Sequence, residues 1–362
     1  MFRAPSILPL LTSISFLAIP TLIAHCGSTT TAAPGWNDAG YDNFDGGFTF
    51  ADASFEDDAA GPQGPAISFP PNETPATTSC AKAAKDPGAS LWSLNSSGGL
   101  RTGWTYIPKS YDPTKPTMIV LNFHGFTSDA TQQLGIARMN PTAEKEGFIA
   151  VYPQGLGNAW NAGDCCSKLP VDDVKFARDL VAKLREDYCV DDARIFATGF
   201  SNGGFFSYKL ACEMSDVIAA VAPVAGVMGM DPKTLCKPTR PVPVLHFHGT
   251  SDPVVKYLGG TPVVPLLNTG LLKFRSAEES VEFWRTENKC LSPEKTQYQN
   301  GDVRCREWSN CQNDANVTLC TIDGGGHAWP SGVPMPFILG KTTTDISATD
   351  TMVSFFRAHP KP

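Results

Sequence analysis

Charge is scarce in this chain of 362 residues. Asp, Glu, Lys and Arg make up only 18%, no run of Lys or Arg occurs, and acids outnumber bases 36 to 29. The basic face that phosphate recognition requires is therefore missing, and a nucleic-acid partner is disfavoured. No Cys-x-x-Cys occurs, which removes the main signal for a zinc ribbon or a thioredoxin-type redox site. No internal repeat is visible. Histidine is sparse: His25, His124, His246, His248, His327 and His359 are the whole supply. Against these shortages stand 21 Phe, 7 Trp and 8 Tyr, enough to exclude disorder throughout, and 32 Gly with 30 Pro, which mean many fixed turns. The length easily buries a sizeable core.

The charge is unevenly placed. Residues 27–79 hold eight acids and no Lys or Arg, Arg3 is the one charge of residues 1–26, and the remainder is neutral. The net charge of −7 thus belongs to the 27–79 segment and says nothing about a substrate. Met1–Ser6 followed by the uncharged apolar stretch Ile7–Ala24 reads as a secretory signal peptide, 1–26. Cys26 follows Leu22-Ile23-Ala24-His25, which resembles a lipoprotein box except at His25, so membrane anchoring through a lipidated Cys26 stays open. Residues 27–79, rich in Gly, Ala, Asp, Pro and Thr, are expected to be a disordered acidic linker, and 80–362 the folded domain. Setting Cys26 aside leaves ten cysteines, an even number in a chain that reads as exported to an extracellular or envelope location, and disulfides are expected. Val303–Trp308 and Val317–Ile322 flank a turn, and equal steps from it set Cys305 opposite Cys320. Cys165 and Cys166 either pair elsewhere or with each other.

From residue 117 onward, apolar runs alternate with helical patterns. Thr117–Phe123, Gly147–Tyr152, Arg194–Thr198, Val217–Val224, Val242–Phe247 and Val317–Ile322 read as strands. Gln132–Glu146, Val171–Asp187, Gly203–Cys212, Ser276–Glu287 and Asp345–His359 read as helices. Near-continuously apolar strands separated by helices predict an α/β domain with a mostly parallel sheet covered on both faces.

The sharpest motif is Gly199-Phe200-Ser201-Asn202-Gly203-Gly204, placed where a strand ends and a helix begins. That is the context of a nucleophile elbow, whose turn is too tight for side chains two residues either side of the serine. A serine hydroxyl needs a base, and the order expected in such folds is serine, acid, histidine. His327 lies in a Gly-rich loop just past a strand, where a base can reach both nucleophile and leaving group. Asp252 follows the strand Val242–Phe247 at the same sheet edge and is preferred as the acid over Asp323. The oxyanion hole is expected from the backbone N–H groups of Asn202 and Phe126, and His124 is expected to anchor the second of these loops. Trp160, Trp329 and Phe200 are candidate substrate-binding rings, with burial as the competing reading for both tryptophans. Asp172 and Asp173 are expected to cap a helix. The Pro-rich stretch Gly259–Leu272 is either a wall of the acyl pocket or a surface insertion.

Several motifs occur together: His124-Gly125, Trp160–Cys166, Val171–Val174, Gly199–Gly204, Leu210–Glu213, His248–Asp252 and Gly325–Pro330. In that combination the chain resembles the secreted polyhydroxybutyrate depolymerase/feruloyl esterase group of carbohydrate esterase family 1, within the α/β-hydrolases. The resemblance implies an α/β-hydrolase fold and a serine carboxylic-ester hydrolase with Ser201, Asp252 and His327 as its triad and no metal or other cofactor. The substrates it implies are hydroxycinnamate or acetyl esters on plant polysaccharides, with poly(3-hydroxybutyrate) oligomers as the alternative. Acyl transfer, or a non-catalytic envelope-binding protein on the same scaffold, are the readings from other classes. The sequence leaves the oligomeric state open.

Overall fold

A computed structural model describes residues 63–362 apart from 73, 75, 77–79, 164, 168, 230 and 262–272. The expected signal peptide, Cys26 and most of the expected linker lie outside the described residues, as does most of Gly259–Leu272. The strands are β1 Gly88–Ser96, β2 Gly99–Ile107, β3 Thr117–Phe123, β4 Ile149–Pro153, β5 Val190–Phe200, β6 Val221–Val224, β7 Val244–Gly249, β8 Lys295–Asn300, β9 Val303–Trp308 and β10 Val317–Ile322. The helices are α1 Ala130–Ala137, α2 Met139–Glu146, α3 Asp173–Asp187, α4 Asn202–Glu213, α5 Pro232–Leu235, α6 Ala277–Glu287 and α7 Ala348–Ala358.

One sheet runs in the order β1-β2-β4-β3-β5-β6-β7-β10-β9-β8. Its centre, from β4 to β10, is parallel, and antiparallel strands close both edges. The strands of the centre are apolar on both sides because both sides are covered. In β3, Ile119, Leu121 and Phe123 pack into one core, while Met118 and Val120 pack into the other. Asn122 interrupts that run without an unsatisfied group, since its Oδ1 accepts from Gln133 Nε2 at 2.7 Å. α3 buries the expected stripe of Val174, Phe176, Leu180, Val181 and Leu184, and Asp172 caps it by accepting from the Lys175 amide at 2.8 Å.

Three local expectations are corrected, and one hairpin was not foreseen. The single helix Gln132–Glu146 is two, α1 and α2, with Arg138 left-handed at φ 47° between them. Pro141 has no N–H to give Ala137, and its ring would strike the Ala137 carbonyl of a continuous helix. Gly147, read as the start of a strand, instead terminates α2 at φ 72°. The β1–β2 hairpin, half-exposed and polar on its outer face, shows too weak an apolar alternation to be read from sequence. Finally, residues 63–72 are not free linker. Ile67 and Phe69 are buried, and their amides donate to Thr351 Oγ1 and Ser354 Oγ on α7 at 3.2 and 2.8 Å. Two apolar residues spaced by two suffice for an extended strap to dock, a signal too short to register as periodicity.

All ten cysteines from Cys80 onward are paired: Cys80–Cys189, Cys165–Cys166, Cys212–Cys236, Cys290–Cys311 and Cys305–Cys320. The last joins residues directly opposite in the β9–β10 ladder, as the spacing predicts.

Candidate active site

β5 delivers Ser201 to the carboxyl edge of the sheet and α4 begins at the next residue. Ser201 has φ 52° and ψ −117°, a conformation that costs on the order of 1–3 kcal/mol and persists only when its surroundings over-determine it. Its amide donates to the Val224 carbonyl at 2.9 Å, and its carbonyl accepts from the Phe205 amide at 3.0 Å. A methyl group on Gly199 would lie 2.5 Å from the Gly203 carbonyl carbon, and one on Gly203 would lie 2.0 Å from the Phe123 oxygen. Both glycines are therefore required by backbone contact at the turn, which is the geometry of the nucleophile elbow.

Asp252 lies three residues beyond β7 and is 4% exposed. Its Oδ1 accepts from the amides of Val254 and Val255, both at 2.8 Å. Its Oδ2 accepts from His327 Nδ1 at 2.7 Å. A carboxylate only accepts, so Nδ1 carries the proton and Nε2 presents a lone pair. The His327 amide donates to the Leu339 carbonyl at 2.6 Å, and the ring lies 4.8 Å from the Phe200 ring, centre to centre. The structure thus joins acid to base by a hydrogen bond, and base to elbow through Phe200. The rival carboxylate, Asp323, accepts from the Thr250 hydroxyl at 3.1 Å.

Asn202 opens α4, where the first amides of a helix have no intrahelical partner. Its side chain is fully buried and clamps Trp160, accepting from the Trp160 amide at 2.7 Å and donating to the Trp160 carbonyl at 3.1 Å. On the facing loop, the Thr127 amide donates to the Asn158 carbonyl at 2.8 Å and the Ser128 amide to the Gly125 carbonyl at 3.2 Å, fixing the turn that carries Phe126. His124 anchors this loop as expected. Its Nε2 accepts from the Gly155 amide at 2.9 Å, so Nδ1 carries the proton and donates to the Gly125 carbonyl at 2.8 Å. Burial pushes the His124 pKa down to about 4, which keeps the ring neutral and this tautomer fixed.

The three proposed substrate rings are corrected. Trp160 is completely buried, stacked on Phe206 and Phe176 at 5.3 and 6.2 Å, and its indole N–H donates to the His124 carbonyl at 3.0 Å. Trp329 is completely buried too, and its N–H donates to Thr349 Oγ1 at 3.0 Å. Internal acceptors for both N–H groups and large apolar faces favour the core over a wet cleft. Phe200 is 5% exposed, and its ring packs on the His327 imidazole instead of lining an open surface.

Sequence reasoning missed two supports of the site. Asp173 is more than a helix-start carboxylate: Oδ1 accepts from the buried Arg101 at 2.8 Å, and Oδ2 accepts from the Asn161 amide at 2.8 Å. The second is the Asn202 side chain, which carries the same loop against α4. Neither partner lies near its mate in the chain, so no local pattern points to the pairing. Among the described residues, no group of three or more His, Cys, Asp or Glu could hold a metal ion, and no helix is long and apolar enough to cross a membrane.

Residues 175–281, a span containing both Ser201 and Asp252, match the Phospholipase/Carboxylesterase family. Feruloyl esterase B of Piromyces equi is 34% identical over 232 residues, covering 62% of this chain but only 42% of that protein. The match therefore spans about two fifths of the length of that relative. Feruloyl esterase C of Emericella nidulans is 30% identical over 237 residues, covering 63% of this chain and 76% of the relative. An acetyl xylan esterase from Aspergillus awamori superposes with a TM-score of 0.51 at 16% identity, covering 74% of this chain and 99% of that one, a likeness of fold. Fold, elbow and relatives agree: the chain belongs to the α/β-hydrolase family of carboxylic ester hydrolases that includes the feruloyl esterases.

Proposed function

We propose that this protein is a serine carboxylic-ester hydrolase that releases hydroxycinnamate (feruloyl) or acetyl groups from plant polysaccharides through an acyl-enzyme. The observation that carries the reading is the hydrogen bond from His327 Nδ1 to Asp252 Oδ2, beside the strained Ser201 elbow. Ser201 Oγ attacks the ester carbonyl while His327 Nε2 takes its proton, and Asp252 holds the tautomer and stabilises the imidazolium. The hydrogen bond from Ser201 Oγ to His327 Nε2 that this step needs is expected to form with substrate bound, as catalytic hydrogen bonds commonly do. The amides of Asn202 and Phe126 receive the oxyanion, a contribution of ~3 kcal/mol per donor in other enzymes. His327 then protonates the leaving alcohol and activates the water that cleaves the acyl-enzyme. The feruloyl preference rests on the relatives, because the triad reads only the carbonyl. Five disulfides support an oxidising, extracytoplasmic location, and an N-terminal leader with lipidation at Cys26 remains part of the proposal.

Fluorophosphonate labelling is expected at Ser201 and is expected to vanish in Ser201→Ala. Methyl ferulate assayed beside a 3-hydroxybutyrate dimer is expected to be the faster substrate. Correctly folded protein that takes no label would point to the binding-protein reading, and faster cleavage of the dimer would replace the feruloyl assignment.

A further inference from the structure

Behind the acid lies a row of buried polar side chains that the mechanism above does not use. Tyr208 on α4 bonds His246 Nδ1 through its hydroxyl at 2.6 Å. His246 Nε2 lies 2.9 Å from His248 Nδ1, the two residues flanking Phe247 on β7. His248 Nε2 lies 2.6 Å from the Val255 carbonyl oxygen and 3.6 Å from Asp252 Oδ2, the oxygen that holds His327. Tyr208, His246 and His248 are each no more than 1% exposed.

The protons of this row follow from one atom. A carbonyl oxygen cannot donate, so His248 Nε2 must carry a hydrogen. In a neutral imidazole the other nitrogen then accepts, so His248 Nδ1 receives the hydrogen from His246 Nε2. By the same step His246 Nδ1 accepts, and Tyr208 donates. Every bond points the same way, from α4 toward the acid loop. Burial holds both imidazoles below their ordinary value, in the neutral state that this ordering needs.

We propose that Tyr208, His246 and His248 form a buried hydrogen-bond chain that fixes the His248 tautomer, so that its Nε2–H holds the Val255 carbonyl of the acid loop while its positive edge stands 3.6 Å from Asp252 Oδ2, positioning the acid for His327. The inference rests on the triad reading above. It also ties the helix that begins beside the nucleophile to the loop that carries the acid. In the opposite tautomer, His248 Nε2 would turn a lone pair toward both the Val255 oxygen and the carboxylate, repelling the group it now steadies. Other groups facing the chain are few. Tyr257 packs edge-on to His248 at 5.9 Å and holds Glu278 through its hydroxyl, with Arg306 beyond. Trp284 of α6 stacks on Tyr208 at 6.5 Å. On β10, Leu319 and Thr321 stand opposite His246 and His248 and do not titrate. Asp252 and His327 are thus the titratable groups on the side of His248 that faces the site.

The test uses the full chain with p-nitrophenyl acetate as probe, comparing His248→Leu, His248→Gln and Tyr208→Phe. Loss of His248's donor, or of the tyrosine that orders the row, is expected to lower kcat about tenfold with KM unchanged, the scale of one lost hydrogen bond. In His248→Leu the acid limb of kcat/KM moves to higher pH, because a dipole whose positive end faces the acid–base pair is gone. His248→Gln, whose amide can occupy the Nε2–H position, restores most of kcat. Folded His248→Leu and Tyr208→Phe proteins with wild-type kcat and pH profile would overturn the proposal, as would a glutamine variant no better than leucine. If His248→Leu does not fold, Tyr208→Phe decides alone, since it removes a single buried oxygen. Fluorophosphonate labelling of the wild type is run alongside. Absence of label would show the triad itself to be wrong, and the chain's role would fall with it.

Discussion

Asp252 receives three hydrogen bonds on two oxygens, and each has a separate job. The Val254 and Val255 amides fix the carboxylate to its own loop, while His327 takes the second oxygen. Asn in its place presents one oxygen and one amino group. Serving the two amides with the oxygen turns N–H toward His327 Nδ1, which then has to accept and place its proton on Nε2, where no base function remains. Asp252→Asn is therefore expected to fold normally and lose up to ~10⁴ in kcat, as in the analogous protease triad. A steady-state assay with a thermal melt checks both halves, and an unchanged rate would remove Asp252 from the machinery. At this scale the sequence was most informative. The tight turn at Ser201, the placing of Asp252 and His327 beyond strand ends and the anchoring role of His124 were all legible, because each sits in a short motif at a strand end. Trp160, Trp329 and Phe200 were not, because whether a ring is buried depends on neighbours contributed by other elements of the fold.

The docked strap shows how an element can escape a sequence reading. Residues 63–72 lack charge periodicity and helix signals, yet Ile67 and Phe69 are buried against α7. Phe69 meets the Phe355 ring edge-on at 5.3 Å, the Ser347 amide donates to the Pro65 carbonyl at 2.7 Å, and the Asn72 amide donates to the Arg357 carbonyl at 3.0 Å. Phe69→Ala is expected to cost about 3 kcal/mol, the lower end for a buried phenylalanine. The loss should appear first in the strap, as faster hydrogen exchange at the Ile67 and Phe69 amides, and then in the urea midpoint. An unchanged midpoint with unchanged exchange would mean that the strap adds no stability. Strands and helices whose packing is local to the sheet, such as β3 and α3, needed no such tertiary information. Their apolar spacing alone specifies which faces are covered.

For the whole molecule, four buried histidines make stability a function of pH. His124, His246, His248 and His359 are all held below their ordinary pKa, with burial the largest cause in each. Each binds a proton more readily unfolded than folded. Their contribution is thus complete above pH ~6.5 and is lost as pH falls toward the folded values. For His124, whose folded value is about 4, the loss reaches roughly 3 kcal/mol. The melting temperature is expected to be level above pH 7 and to fall steadily between pH 6.5 and 4. A flat profile across that range would show that these rings are not held neutral by the fold.

By itself the sequence determined the fold class, the tight turn at Ser201, the strand-end placing of Asp252 and His327 and the Cys305–Cys320 bridge, because each is written in local spacing: near-continuous apolar runs, a helical stripe, glycines around a serine, equal steps from a turn. Only the tertiary structure decided which aromatics are interior, that residues 63–72 dock on α7, how the other cysteines pair, and that Tyr208, His246 and His248 line up behind Asp252. Those outcomes depend on which distant surfaces meet, and contacts between segments far apart in the chain leave no periodicity in either partner.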